Sequence, residues 1–306
     1  MAFTAKDVAE LRKQTGCGMM DCKRALEEAN GNMAEALKVL REKGMAATAK
    51  KQSRIAAEGV VDVLTVGTTT AMIEVNSETD FVAKNETFRA FVRSLLETII
   101  ATRPASVEDL MTKTMADGQT VEAAMQEKTY TIGEKLSLRR FVIVDGTVST
   151  YVHGGGATGV IICFAADDAA VANPGFAEFA KNIALQAAAI SSQYVDRESV
   201  PAAVIEEERE ILTKQMAQDP KFAGKPANVL AGIINGKLGK FYENNCLTEQ
   251  AYVKDDSLTV GKYIAATAKE LGGAIKVTAF HRFDKGEGIQ KREENFAEEI
   301  AKMVNN

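Results

Sequence analysis

Few residues in this sequence could do bond chemistry, and their spacing gathers none of them into a site. The two histidines, His153 and His281, stand apart in strand or turn contexts, where a lone His reads as a structural residue rather than a base. Cys17, Cys22, Cys163 and Cys246 lack paired metal-ligand spacing and fit reduced thiols. Cys17 and Cys22 have no neighbouring His to complete a zinc site. The acids Glu206, Glu207 and Glu208 read as a solvated helix face. His153-Gly-Gly-Gly-Ala-Thr-Gly159 contains a formal Gly-x-Gly-x-x-Gly. A dinucleotide site needs that turn between a strand and a helix, so that helix amides face the pyrophosphate; here strands are expected on both sides. As an esterase oxyanion loop the same run would need a Gly-x-Ser-x-Gly elbow, which the sequence lacks. No phosphate loop ending in Gly-Lys-Ser/Thr is present either. With no nucleophile, base and orienter converging, no enzyme chemistry, cofactor or metal is expected.

Recognition chemistry is better served, by Ile73 to Phe88. This stretch begins as a short apolar strand, Ala71 to Val75, ending in the turn formers Asn76 and Ser77. It ends as a helix, with Phe88, Phe91, Val92, Leu95, Leu96 and Ile99 on one face. Between them Ser77 to Val82 is too polar for core, yet carries Phe81. One reading folds Phe81 back as a hydrophobic staple under the helix. The other makes Asp80 and Phe81 a short probe, an apolar anchor beside a charge, offered to a partner pocket.

The elements that position this stretch can be read along the chain. Thr4 and Asp7 form a capping box, Val8 and Leu11 face inward, and Gly16 stops the helix. Gly18 opens a second helix from Met19 to Ala29, and Asn32 caps a third. Three short helices in the first 45 or so residues resemble the ubiquitin-associated fold. Met19 and Met20 lie beside its first loop, where exposed Met suits an adaptable protein contact; core packing is the alternative. Met45 to Glu58 reads as an Ala-rich linker, and Val60 to Val75 as a strand hairpin turned at Gly67. Ser106 to Asp109 opens a short helix, Leu136 to Val144 is a strand, and Asp145-Gly146 turns it back. A terminal amphipathic helix is expected from Glu293 to Val304.

The hairpin and helix recur. Val60 to Val75 and Phe88-x-x-Phe91 reappear 88 residues on, as Val148 to Cys163 and Phe176-x-x-Phe179. Thr131-Ile-Gly133 and Thr259-Val-Gly261 lie 128 apart, which implies an insertion of about 40 residues in the second copy. Ser199 to Gln218 and Ala227 to Tyr242 supply it as an antiparallel helical hairpin of coiled-coil type. Its seams read as Val204, Ile205, Ile211 and Leu212 on one arm and Leu230, Ile234, Leu238 and Phe241 on the other. Such seams can also pair between chains, so self-association through the hairpin is an open possibility. Thr79-Asp-Phe-Val82 of the first copy aligns with Asp167-Asp-Ala-Ala170 of the second: the scaffold repeats and the probe does not.

The expected fold is therefore α+β. Residues 1–54 form the head and linker, and 55–144 a first core subdomain. A second core subdomain comprises 145–198 and 243–283, interrupted by the hairpin at 199–242, and 284–306 form a C-terminal module. At 306 residues a sizeable core over several domains is affordable. A net charge of −5 and the absence of Trp argue against a phosphate-backbone binder or an aromatic stacking platform. Residues 1–54 are mildly basic, with 11 Lys and Arg against 7 Asp and Glu. No run approaches a membrane span of about 20 apolar residues, and Met1 to Asp7 has no signal-peptide core, so a cytoplasmic protein is expected.

Three stretches resemble one family, bacterial elongation factor Ts, and occur in its order. These are Leu11 to Leu26, Glu74-Val-Asn76 with Thr79-Asp-Phe-Val82, and Phe283-Asp-Lys-Gly-Glu-Gly-Ile289. The resemblance implies guanine nucleotide exchange on elongation factor Tu during translation elongation. It further implies that Arg12, Met19 and Met20 dock on the GTP-binding domain of that partner. Thr79, Asp80, Phe81 and Val82 would enter beside its magnesium site, and His153 would make another contact. Two other classes remain on the residues alone: a passive adaptor that binds through its head, and a nucleic-acid-associated factor that uses the basic head.

Overall fold

The computed structural model describes residues 3–222 and 224–290. The helix expected from Glu293 to Val304 lies outside them. Mixed α+β architecture is observed, with helices at the N-terminus and small antiparallel sheets after them. The chain divides into two compact units.

The first unit opens with three helices, α1 (Ala5–Thr15), α2 (Met19–Glu28) and α3 (Met33–Lys51). Their ends follow from their caps. Thr4 and Asp7 complete the capping box, Gly16 closes α1 in the left-handed conformation, and the Asn32 side chain accepts the Ala34 and Glu35 amides. Leu11, Cys22, Ala25, Leu26, Ala36 and Leu40 fill the small core. The linker expected from Met45 is, in its first part, the continuation of α3, which packs against a helix downstream.

Strands β1 (Glu58–Val66) and β2 (Thr69–Ser77) pair antiparallel, with Val60 opposite Val75 and Leu64 opposite Ala71. They are followed by helices α4 (Asp80–Lys84), α5 (Glu86–Thr102), α6 (Val107–Thr112) and α7 (Val121–Ile132), then by β3 (Ser137–Asp145). The sheet order β1-β2-β3 puts β2 in the centre, which is why nearly all of it is buried. The apolar stripe of α5, Phe88, Phe91, Val92, Leu95, Leu96 and Ile99, closes the core over this sheet. Helix α7 was not expected: Thr129 and Tyr130 interrupt its apolar pattern, although Thr120 and Gly133 cap it cleanly.

The second unit, from which the turn Gly154–Thr158 is excluded because it belongs to the first, contains β4 (Thr147–His153), nearly all of β5 (Thr158–Ala166), α8 (Asp168–Ala172) and α9 (Phe176–Ala189). Then come α10 (Ala202–Gln218), α11 (Ala227–Asn245), the short strands β6 (Ala251–Tyr252) and β7 (Asp255–Thr259), α12 (Val260–Leu271) and β8 (Ile275–Asp284). Its larger sheet has the order β4-β5-β8. Asp145-Gly146 therefore joins strands of two different sheets and does not turn a hairpin. Phe164, Phe176 and Phe179 pack edge-on or tilted at the centre of this core.

Two expectations need correction. Thr131 to Gly133 ends α7, whereas Thr259 caps the start of α12, so those residues are not equivalent. The matching caps are Thr120 with Thr259 and Gly133 with Gly272, both 139 residues apart. The inserted length is correspondingly nearer 50 residues than 40. In the helical hairpin, Leu212 and Met216 of α10 pack against Ile234 and Leu238 of α11. Ile211, expected in the seam, is 41% exposed, because one stripe per arm suffices for two packed helices.

Candidate partner-binding site

Helix α4 is the pivot of the site. It is one turn and a half long, too short to be stable by itself. Ala83 is buried and Val82 packs against the first core, which leaves Phe81 pointing outward, 80% exposed. The staple reading is thereby excluded. Asp80 pairs with Lys84 at 2.6 Å, one turn on. That hydrogen bond is the main reason its carboxyl sits below the ordinary aspartate range.

The start of α4 is fastened from a distance. Thr79 caps the helix, its hydroxyl accepting the Val82 amide at 3.5 Å. The Glu134 carboxylate accepts the Glu78 amide at 3.1 Å, the Thr79 amide at 3.0 Å and the Thr79 hydroxyl at 2.6 Å. In return Glu78 accepts the Lys135 amide at 2.5 Å and pairs with Arg54 at 3.3 Å. Lys135 Nζ donates to the carbonyls of Gln52 and Arg54, just beyond α3. Glu134 and Lys135 were not singled out from sequence. The one signal was their place after a left-handed Gly133 that ends a helix.

Met19 and Met20 are 53% and 61% exposed at the start of α2. Both point outward because Cys22, Ala25 and Leu26 take the inward positions. Arg12 is exposed on α1, while its neighbour Leu11 is fully buried. A groove of about 440 Å³ is lined by Thr15 and Gly16 at the end of α1, by Phe81 and Val82, and by Lys128 and Thr131 of α7. The α1–α2 turn and the Phe81 helix thus border one surface of the first unit.

A second constellation explains the C-terminal motif. Glu74 of β2 has no exposed surface. Arg139 Nη1 donates to it at 3.0 Å, Arg140 Nε at 2.6 Å, the Gly286 amide at 2.8 Å and Asn76 Nδ2 at 3.1 Å. Burial pushes the carboxyl pKa up, but the Gly286, Arg139, Asn76 and Arg140 hydrogen bonds outweigh it, and the net shift is downward. Gly286 has φ +69° and approaches Ala57 so closely that a Cβ would lie 2.2 Å from the Ala57 oxygen. The turn of the Phe283 to Ile289 motif is thus fastened to the central strand that precedes α4.

The Gly-rich run is a turn between two strands, as its spacing implied. Its Gly156 carbonyl accepts the Val61 amide at 2.9 Å, and a Cβ there, at φ +103°, would crowd Val60 and Val61 at 3.1 Å. Gly156 thus serves close backbone packing. His153 is exposed in the second unit, its Nδ1 3.1 Å from the Tyr151 hydroxyl. His281 is partly buried, and desolvation lowers its pKa.

Burial raises the pKa of the Cys17 and Cys163 thiols, and that of Cys246 to about 11, so they stay protonated at neutral pH. Among the described residues no three His, Cys, Asp or Glu side chains gather to hold a metal ion. No helix among them is long and apolar enough to cross a membrane.

The first unit presents an exposed aromatic on a tethered helix beside a helical head, in a chain of α+β architecture. Residues 78–287 match the family model described as elongation factor TS. Elongation factor Ts of Clostridioides difficile (strain 630) is 45% identical over 308 aligned positions, covering 99% of each chain. The chain belongs to the elongation factor Ts family.

Proposed function

We propose that the protein is the guanine nucleotide exchange factor of elongation factor Tu in translation elongation, working in the cytoplasm. It binds the GDP-bound partner, inserts Asp80 and Phe81 beside the partner's magnesium site, and leaves a nucleotide-free complex that GTP can enter. It makes or breaks no bond. The observation that carries this reading is Phe81, an 80% exposed aromatic on a helix fastened at its N-terminus.

Linkage dictates the rest. A factor that weakens nucleotide binding is itself weakened by nucleotide to the same degree. It must therefore grip the empty partner firmly and yield when GDP or GTP returns. Magnesium neutralises the phosphates. A wedge that displaces the magnesium-holding elements speeds release without touching the nucleotide. An apolar ring suits this, since packed elements transmit small shifts rather than absorb them. Asp80, paired with Lys84, orients the loop rather than ligating metal. Thr79 and Val82 seat the helix, and Arg12, Met19 and Met20 dock the head on the GTP-binding domain. His153 makes a further contact.

The finer layout follows the same reading. A ubiquitin-associated-like head precedes two related subdomains, each a strand hairpin, helices and a closing strand, and the helical hairpin is inserted in the second. The equal spacing of the caps of α7 and α12 supports the duplication. Exposed Ile211 and Val229 on the hairpin support a capacity for self-association.

The test is release of labelled GDP from elongation factor Tu in excess unlabelled nucleotide. Catalytic amounts of the protein should turn over many equivalents of the complex. Release that stops at one equivalent, or does not accelerate, points to a passive adaptor.

A further inference from the structure

We infer that Glu134 is a positioning residue of the exchange reaction: it holds the Asp80–Phe81 helix in the orientation from which Phe81 acts. The inference rests on the reading of Phe81 as the wedge.

A wedge works only against a stiff mount. Phe81 must push into packed structure, yet its helix is five residues long and has only Val82 and Ala83 on the core. Left to those contacts, α4 would fray, because a single turn forms few internal hydrogen bonds. Glu134 removes that freedom. Its two oxygens take three donors in a row: the Glu78 amide, the Thr79 amide and the Thr79 hydroxyl. Charge-assisted bonds of this kind are stronger than neutral ones, and negative charge at a helix N-terminus opposes the local dipole. They fix the N-cap whose own hydroxyl sets the first turn. The partly buried clamp keeps its strength better than an exposed one.

The second unit supplies a control for a purely architectural role. There Asp167 holds the N-cap position of α8, 88 residues after Thr79, but its side chain accepts no amide of that helix. Gly273 follows the C-cap Gly272 of α12, where Glu134 follows the C-cap Gly133 of α7. Only the bond to the amide after this position is kept, as Glu78 keeps it with Lys135 in the first unit. Asp167 accepts the Ala274 amide at 2.7 Å and returns its own amide to the Ala274 carbonyl at 3.0 Å. A Cβ on Gly273 would meet that of Asp167 at 2.9 Å, leaving no room for a longer side chain. Closing this corner of the fold therefore does not require a glutamate clamp. The clamp occurs on the helix that carries Phe81, and is missing where Ala169 takes its place.

The experiment uses the full chain with elongation factor Tu loaded with fluorescent GDP. Glu134→Ala, Glu134→Gln, Phe81→Ala and the Glu134→Ala/Phe81→Ala double variant are titrated to saturation. Glu134→Ala should lower the maximal release rate roughly tenfold, as misplacing a working group does, while the half-saturating concentration moves far less. Glu134→Gln, which still offers an acceptor oxygen, should recover most of the rate. With Phe81 already Ala, removing Glu134 should change nothing further, since the clamp acts through the ring. The proposal is overturned if the Glu134 loss is undiminished in the Phe81→Ala background, or if it falls on half-saturation alone. It is also overturned if Phe81→Ala is slow while Glu134→Ala is normal, a result that leaves the wedge reading standing. If Phe81→Ala itself releases GDP at the unmodified rate, the wedge reading fails and the Glu134 inference with it. Should the Glu134→Ala variant not fold, Thr79→Val, which removes the hydroxyl donor of the clamp, carries the same comparison with and without Phe81→Ala.

Discussion

The backbone amide of Gly286 donates at 2.8 Å to the fully buried carboxylate of Glu74, 212 residues earlier in the chain. This bond ties the last described turn to the central strand of the first sheet. Arg139 and Arg140 reach the same carboxylate from β3, so three separate segments meet on one charge.

Replacing Glu74 by Gln should cost roughly 3 kcal/mol of stability, because it strands two guanidiniums and an amide around a neutral group. Its pKa is lower folded than unfolded. The stabilisation is therefore complete above the ordinary Glu value of 4.5 and is lost as pH falls through the depressed folded value. Denaturant unfolding from pH 7 down to 3 should show the wild-type chain losing stability in the acid range and Glu74→Gln losing less. Equal slopes for both would mean that other carboxylates control acid unfolding.

Met19→Ala and Met20→Ala should each change stability by less than about 0.5 kcal/mol, as exposed substitutions do. Truncating a buried Met costs 2–5 kcal/mol by comparison. Affinity for the nucleotide-free partner should fall for both. Thermal melts with a binding titration separate the cases, and a large drop in melting temperature would return these residues to the core.

Replacing Pro201 to Lys240 with a short Gly/Ser linker should leave exchange activity largely intact. The two arms bury their apolar stripes chiefly against each other, in a cluster distinct from the second core. Loss of nearly all activity in a folded product would show that the hairpin belongs to the exchange surface.

What could be read from the sequence was what local pattern encodes. Thr4, Gly16 and Asn32 mark helix ends by their own chemistry, and the apolar stripe of α5 needs no partner to be visible. The outward face of Phe81 was suggested by its missing counterpart at Ala169 but needed the packing of Val82 and Ala83 to decide it. Four helices were missed, the short α4 and α8 and the longer α7 and α12. In α7 Thr129 is buried where a larger apolar residue would have advertised the face. Glu74 and Glu134 were missed for a different reason. A clamp most of whose donors lie 55 to 212 residues away leaves no local periodicity, and an acid in a strand or after a helix looks like any solvated charge.

The exposed ring at Phe81 stands at the centre of the account, and stopped-flow release of fluorescent GDP at saturating factor tests it most directly. Phe81→Ala should fold normally and bind the empty partner with partly reduced affinity. Maximal release should be slower by tenfold or more, each factor of ten being about 1.4 kcal/mol at the barrier. Chelating magnesium should narrow the gap between mutant and unmodified factor, since the wedge and the chelator remove the same stabilisation. Release by Phe81→Ala at the unmodified rate under saturation would contradict the account and reduce Phe81 to a docking anchor.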